Sequence, residues 1–489
     1  MRITFAASEC VPFSKTGGLA DVAGTLPRLM AAAGHEVNVF VPLYRQTRLA
    51  DPPSVVRSIT IPFDDHYRFC SVVNGSHGSK VRYYFVDYPA FFDRPGLYGT
   101  SAGDYADNAE RYALFCRAVL EASKILSVPH IFHCHDWQSA LIPILLRTQY
   151  AEDPAFRDVA TVFTIHNVGY QGVFPPDTLP LLTLPWDLFT ISKMEFFGNV
   201  NFLKGALVYA DFITTVSHKY SHEIQTTEFG FGLEGVLKNR AATVVGILNG
   251  VDYEEWNPAT DKFIAANYTP EDLSGKAKCK QDLLATFNLA NPNLNLPVIG
   301  IVSRFALQKG FDLISQIMDR LAREEMILVA LGSGDRSYED MFLRLQKHFP
   351  SKVAVKIAYD DALAHKIEAG SDMFLMPSKY EPGGLNQIYS LKYGTVPIVR
   401  ATGGLDETIE SWDARNARGT GFKFNEYTGE SLLLTIREAL RQFRDQASWQ
   451  KLMRNGMAKD FSWNASAKEY MKVYEKVRQL KAAPNLARV

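Results

Sequence analysis

Short apolar runs bounded by glycine, proline and polar clusters recur along the chain, and most alternate with segments whose apolar positions repeat at the helical period. The first run, 3–7, is followed by Gly17-Gly18 and then by Leu19, Val22, Ala23, Leu26 and Met30, which share one helical face. Pro27 is expected to bend this helix, Gly34 to end it, and residues 37–41 to form the next strand. Strand, helix and strand in that order open a parallel sheet. Residues 51–86 break the pattern. There Thr60-Ile61-Pro62-Phe63 and the run 81–86 flank Asn74-Gly75-Ser76-His77-Gly78, which predicts a hairpin at an antiparallel edge. Further strands are expected at 131–137 and 162–167, both ending in polar clusters, and at 212–217 and 244–248. The second half restarts the alternation with strands at 298–303, 326–331, 353–357, 373–376, 396–399 and 422–424. An amphipathic helix from 464 to about 480 carries Tyr470, Val473 and Tyr474 on one side.

A chain of 489 residues exceeds what one hydrophobic core organises, so at least two domains are expected. The turn-rich stretch Asn249-Gly250-Val251-Asp252 with Trp256-Asn257-Pro258 divides the two patterns. The expected organisation is a first domain over 1–250, a hinge at 251–258, a second domain over 259–464, and a helix in 465–489 returning to the first. Both domains read as α/β, doubly wound and Rossmann-like. A formal charge of −1 with no Lys/Arg run points away from nucleic acid and from anionic membranes as partners. Five cysteines at 10, 70, 116, 134 and 279 fit neither a disulfide framework nor a C-x-x-C metal site, so a reducing compartment is expected. No apolar segment is long enough to span a bilayer, and a strand beginning at residue 3 leaves no room for a leader peptide. The expected setting is the cytoplasm.

Candidate chemistry gathers where expected strands end, because open α/β sheets hold ligands beyond the carboxyl ends of their strands. Glu381, Gly383 and Gly384 follow the strand 373–376, Lys15, Gly17 and Gly18 follow the first strand, and Gly403-Gly404 follow 396–399. Glycines at such turns leave amides free to meet ligand oxygens. The G-x-G-x-x-G spacing is missing, which disfavours a nicotinamide or flavin site. Arg304 and Lys309 follow the strand 298–303 and could neutralise a diphosphate, at roughly 4 kcal/mol per contact before desolvation. Read alone, both are better taken as ordinary surface cations, and the Gly383-Gly384 turn with a second lysine at position 15 reverses that reading. His133, His135, His166 and Cys134 match no known zinc spacing, so hydrogen-bonding roles are favoured and no metal is expected. Glu381 could equally cap a helix start. The rings between 87 and 112, Tyr98 among them, read as loop packing or as a sugar-stacking surface. No serine- or cysteine-nucleophile motif is present.

The motifs KTGGLADV at 15–22, HDWQ at 135–138, TIHN at 164–167, NGVD at 249–252, SRF at 303–305 with QKG at 308–310, KYEPGGLNQ at 379–387 and TGGLDET at 402–408 together resemble the bacterial glycogen synthase family, close to plant starch synthases. The likeness spans nearly the whole chain in order. It implies a retaining GT-B glycosyltransferase, two Rossmann-like domains facing across a cleft, that moves glucose from ADP-glucose to the non-reducing end of an α-1,4-glucan without metal or other cofactor. A related transferase with a small sugar acceptor, or a catalytically silent glucan-binding protein, are the alternatives. By the resemblance, Lys15, Gly17, Gly18 and Asp21 contact the donor with Asn249, Gly332, Tyr359 and Thr402. Arg304 and Lys309 neutralise the departing ADP. Glu381 stands against the donor glucose, with the Gly383, Gly384 and Leu385 amides on its hydroxyls. Asp136 and His166 lie at the reacting centre, and Tyr98, Trp137 and Asn167 meet the acceptor glucan. Two positions depart from the family pattern. Gly383 stands where bacterial members commonly carry Cys, and Tyr389 stands where the wider superfamily often repeats an acid.

Overall fold

The structure is a computed structural model, and it describes residues 1–49, 54–63, 66–100, 102–289 and 292–482. The part of the expected C-terminal segment beyond 482 lies outside the described residues. The chain folds as two compact units. The first comprises Met1–Val216, Ser221–Ile247 and Trp463–Val489, and the second comprises Ser217–Tyr220 and Leu248–Ser462. The division therefore falls just before Leu248, which puts Asn249 in the second unit.

In the first unit, strands Val244–Gly246, Phe212–Thr215, Ala160–Ile165, Ile131–His135, Arg2–Ala6, Glu36–Pro42 and Arg82–Asp87 lie side by side in that spatial order, all parallel. Chain order reverses between Arg2–Ala6 and Ile131–His135, so the carboxyl ends of these two strands flank a topological switch point. The helix Gly18–Ala32 buries Leu19, Val22, Ala23, Leu26 and Met30, and it runs through Pro27 to its expected end. Gly34 follows at φ 89°, closing the helix with its amide on the Ala31 carbonyl. The helix Trp463–Ala482 belongs to this unit. Tyr474 on it bonds through its hydroxyl to His133 Nδ1 at 2.8 Å, in the middle of the sheet.

The antiparallel edge differs from the expected hairpin. Residues 60–63 and 81–86 do not pair with each other. A further strand, His66–Gly75, lies between Ser54–Phe63 and Arg82–Asp87 and pairs antiparallel with both. Its half-exposed sequence alternates Arg68, Cys70 and Val72 with Phe69, Ser71 and Val73, and neither a long apolar run nor a strong turn signal marks its start.

The second unit carries six parallel strands in the order Val353–Ile357, Ile327–Gly332, Val298–Val302, Met373–Met376, Val396–Arg400 and Phe422–Phe424. Successive side chains go to opposite faces. Ile299, Ile301, Leu328, Ala330 and Leu375 pack with the helices Phe311–Arg323, Arg336–His348, Gly429–Phe443 and Gln446–Met457. Val298, Val329, Leu331 and Phe374 face the helices Ser274–Thr286, Asp361–Gly370 and Asn386–Lys392. The result is a three-layer doubly wound fold whose switch point lies between Val298–Val302 and Met373–Met376. No described helix is long and apolar enough to cross a membrane. The five cysteines are buried and unpaired.

Candidate active site

Beyond the switch point of the second unit, two loops are fastened to each other. Gly310 has φ 76°, and a Cβ there would lie 2.0 Å from the Pro377 carbonyl oxygen, so only glycine lets the two backbones approach. The Lys379 amide donates to Gln308 O at 2.8 Å. This lock brings Lys309 Nζ to 2.7 Å from Glu381 Oε2, which also accepts from Ser378 Oγ at 3.0 Å. Glu381 is 5% exposed, and the Lys309 side chain is 22% exposed. Lys309 is therefore no freely solvated cation. Glu381 is no helix cap either, since the next helix begins at Asn386. Arg304 is exposed at the end of the neighbouring strand.

The turn after Glu381 is backed by a second glycine turn. A Cβ on Gly403 would lie 1.9 Å from Glu381 O, and one on Gly404 1.8 Å from Gly383 O. The Gly404 amide donates to Glu381 O at 3.0 Å. Among the described residues, no acceptor takes the amides of Gly383, Gly384 or Leu385. Three adjacent N–H groups beside a lysine–carboxylate pair suit the hydroxyls or phosphate oxygens of a nucleotide sugar. Thr402 is buried at the start of the helix Gly403–Thr408, Gly332 is buried at a strand end, and Tyr359 is 81% exposed. Asn249 is buried, and its Oδ1 has no hydrogen-bond partner among the described residues. Such an orphan is costly unless a ligand or water satisfies it.

In the first unit, Lys15 pairs with Asp21 at 2.8 Å, on the exposed turn before the helix Gly18–Ala32. The turn is less open than its glycines predict. Glu9, buried just beyond the first strand, accepts from the amides of Thr16 and Gly17 and from Thr16 Oγ1, the last two at 3.3 and 2.8 Å. Gly17 thus spends its amide on a carboxylate of its own chain. Glu9 Oε1 also takes the Tyr98 hydroxyl at 2.9 Å, and Ser8 Oγ lies 2.8 Å from the same hydroxyl. Burial pushes the Glu9 carboxyl above the usual range. Sequence reasoning passed over Glu9. Its signal was position: a lone carboxylate three residues beyond a strand that ends at the switch point.

Across that switch point, Asp136 has φ 55° and ψ 179°, a conformation that costs a non-glycine residue roughly 1–3 kcal/mol. The surroundings impose it. Asp136 N donates to Thr164 O at 3.0 Å, Ser139 N donates to Asp136 O at 3.1 Å, and Asp136 Oδ1 accepts from His166 N at 2.7 Å. The last contact locks HDWQ against TIHN. Burial pushes the Asp136 carboxyl up to about 7, against the pull of the His166 and Asn167 amides. His166 Nε2 lies 2.9 Å from His135 Nδ1, and burial lowers the His166 ring to about 3, so it is neutral at physiological pH. His133 is engaged by Tyr474 and by Thr164 Oγ1 at 2.6 Å. Among the described residues these histidines gather no further metal-type ligand. Trp137 is 8% exposed and packs against Tyr112, Phe174 and Phe202. Asn167 Oδ1 accepts from the Gly169 amide at 2.9 Å.

The strained, buried Asp136 gives a pH prediction. Its folded-state pKa is raised, so the stability it contributes is complete below the unfolded value near 3.8 and is lost as pH rises to about 7. Asp136→Asn, which stays neutral, should gain stability relative to the parent across that window, on the order of 4 kcal/mol by pH 8. Paired thermal melts from pH 4 to 8 check it. A melting-temperature difference that stays flat with pH refutes the assignment.

Comparison with known proteins extends this geometry. Residues 2–239 match the family described as the starch synthase catalytic domain, and residues 287–455 match glycosyl transferases group 1. A glycogen synthase from Koribacter versatilis is 70% identical over 99% of this chain and 99% of its own length. One from an Anaeromyxobacter species is 46% identical over 97% and 99%. Among solved structures, the catalytic domain of starch synthase IV from Arabidopsis thaliana, bound to ADP and acarbose, superposes with a TM-score of 0.89 at 31% identity, covering 98% of this chain and 99% of that one.

Proposed function

Because the chain belongs to the bacterial glycogen synthase family, we propose that it moves glucose from ADP-glucose to the 4-hydroxyl at the non-reducing end of an α-1,4-glucan, in the cytoplasm, with the two units as its two domains. The observation that carries the site assignment is the Lys309–Glu381 pair at the switch point of the second unit, beside three amides without acceptors. In this reading the donor lies along the second unit. Arg304 and Lys309 meet the diphosphate, Glu381 and the Gly383–Leu385 amides meet the glucose, and Gly332, Tyr359 and Thr402 border the nucleotide. Asn249 would satisfy its orphaned Oδ1 on a sugar hydroxyl. The first unit contributes Lys15, Gly17, Gly18 and Asp21 toward the donor, and Asp136, His166, Asn167, Tyr98 and Trp137 toward the acceptor.

The bond from glucose C1 to the β-phosphate oxygen breaks as the bond from C1 to the acceptor O4 forms, on the same face of the sugar. The departing phosphate oxygen takes the acceptor proton, so no protein base is required. Negative charge grows on the diphosphate as the sugar becomes oxocarbenium-like. Fixed cations and amides stabilise that charge without reorganising, which is the largest catalytic effect open to such a site. His166, neutral and half-buried, suits a hydrogen bond to the sugar better than a proton transfer.

Incubation with labelled ADP-glucose and either glycogen or fructose tests the reading. Label should enter ethanol-insoluble polymer with glycogen, and UDP-glucose in its place should give slower transfer. Label appearing only in a soluble disaccharide, or no ADP released at all, overturns it.

A further inference from the structure

The histidine that opens HDWQ has no part in the transfer described so far, although it is fully buried against a residue that does. We propose that His135 is a positioning residue: its Nδ1–H, donated to the ring of His166, makes His166 a hydrogen-bond donor through Nδ1 toward a sugar oxygen. The identity of the ligand rests on the transferase reading, whereas the geometry lies wholly within the first unit.

Two successive residues of the motif hold His166. Asp136 Oδ1 accepts the His166 amide at 2.7 Å, and His135 Nδ1 lies 2.9 Å from His166 Nε2. The first contact fixes the backbone and the second fixes the ring. His135 is itself immobilised. It ends the strand Ile131–His135 in register with Thr164, and its carbonyl accepts from Ser139 Oγ at 2.9 Å. Its ring packs on Phe5, with centroids 6.0 Å apart, and on His133 at 4.2 Å. His133 is held in turn by Tyr474 and Thr164.

Two ring nitrogens at hydrogen-bond distance share one proton, so one ring donates and the other accepts. Burial, with the His133 and His166 rings beside it, holds His135 well below the usual imidazole range. Burial lowers His166 too, so both rings are neutral and each carries a single N–H. The direction follows from the nitrogens left over. His135 Nε2 is buried and has no hydrogen-bond partner among the described residues. Were His166 the donor, His135 would carry its proton on Nε2, and that N–H would be sealed in the interior without an acceptor. Orphaned buried N–H groups are rare in folded proteins, because nothing replaces their lost bond to water. With the proton on Nδ1, only a ring lone pair goes unused. His166 then accepts at Nε2 and carries its own proton on Nδ1. That nitrogen has no partner among the described residues and belongs to a half-buried side chain, so its N–H is the one left for a ligand.

A glucose hydroxyl accepts such a bond, and a neutral donor fixes its orientation without adding charge. The opposite tautomer would present a lone pair and demand a hydroxyl proton instead. His135 decides between the two, because the bond made by one ring nitrogen sets the state of the other.

The full chain, labelled with heavy nitrogen in its histidine rings, tests this by long-range proton–nitrogen NMR, which separates the protonated from the bare nitrogen of a neutral ring. The His166 signals, identified by their loss in His166→Gln, should show the proton on Nδ1. His135→Leu removes the donor; His166 should shift toward the Nε2–H tautomer and turnover should fall about tenfold. His135→Asn, whose amide can stand in for Nδ1–H, should restore the tautomer and bring turnover to within about threefold of the parent. The parent spectrum decides even if His135→Leu does not fold. A parent with the His166 proton on Nε2 overturns the proposal, as does a folded His135→Leu that keeps either the parental tautomer or the parental turnover. A parent with Nδ1–H on His166 that transfers no glucose would support the pairing and overturn the transferase reading instead.

Discussion

Lys309→Ala is expected to lower glucosyl transfer from ADP-glucose by about two to three orders of magnitude, the cost of removing one fixed donor from a site that stabilises a leaving anion. The loss should appear in turnover more than in donor binding, since charge on the diphosphate grows as the bond breaks. A second effect follows from the contact at 2.7 Å. With the ammonium gone, the buried Glu381 carboxylate keeps only the Ser378 hydroxyl as a hydrogen-bond donor among the described residues. Stability should fall by about 2 kcal/mol, less than for a fully buried pair because Lys309 is partly exposed. Glu381→Ala should also depress turnover by orders of magnitude. In the double variant the two losses should fall well short of additive, in stability and in rate, because each single change strands the other partner. Melting curves and steady-state rates of the three variants decide the matter. Near-parental turnover in both single variants would refute the site.

The other large effect is expected at Gly404. An alanine Cβ there would lie 1.8 Å from Gly383 O and 2.5 Å from Gly383 C, both backbone atoms of the turn that carries the free amides. No rotamer relieves a backbone clash. The turn must separate from the helix Gly403–Thr408 and give up the bond from Gly404 N to Glu381 O. Gly404→Ala should therefore cost about 3 kcal/mol, at the upper end of overpacking, and the protein that still folds should lose most transfer activity. Gly17→Ala is the matched control. Its backbone is extended, at φ −157°, and nothing lies within 4 Å of the added Cβ, so its stability should stay within about 0.5 kcal/mol of the parent. Equal melting temperatures for Gly404→Ala and Gly17→Ala would show that the two glycine turns do not support each other.

Much of the local structure was legible along the chain. The strand Met373–Met376 has the limits its apolar run predicts, because a strand covered on both faces is apolar throughout, and the edge strands Val353–Ile357 and Phe422–Phe424 also keep their expected limits although each carries one lysine. The strand His66–Gly75 was not legible, since it lies near an edge and alternates without a strong apolar signal. The motifs located the candidate site residues, yet they ranked them unevenly. Glu9 stayed hidden because a single buried carboxylate in SECVP carries no local pattern. Its partners Thr16, Gly17 and Tyr98 converge only in the fold. Trp137 is the reverse case: a motif residue whose ring is mostly spent on packing.

By itself, the sequence determined the two α/β patterns, the glycine turns at strand ends and the family resemblance, because periodicity and turn chemistry are local and repeat within a few residues. Tertiary structure alone decided that Lys309 holds Glu381, that Glu9 occupies the amide of Gly17, and that Asp136 takes a strained conformation against His166. Those facts depend on contacts between residues far apart along the chain, where burial removes water and each polar group must find its partner within the protein.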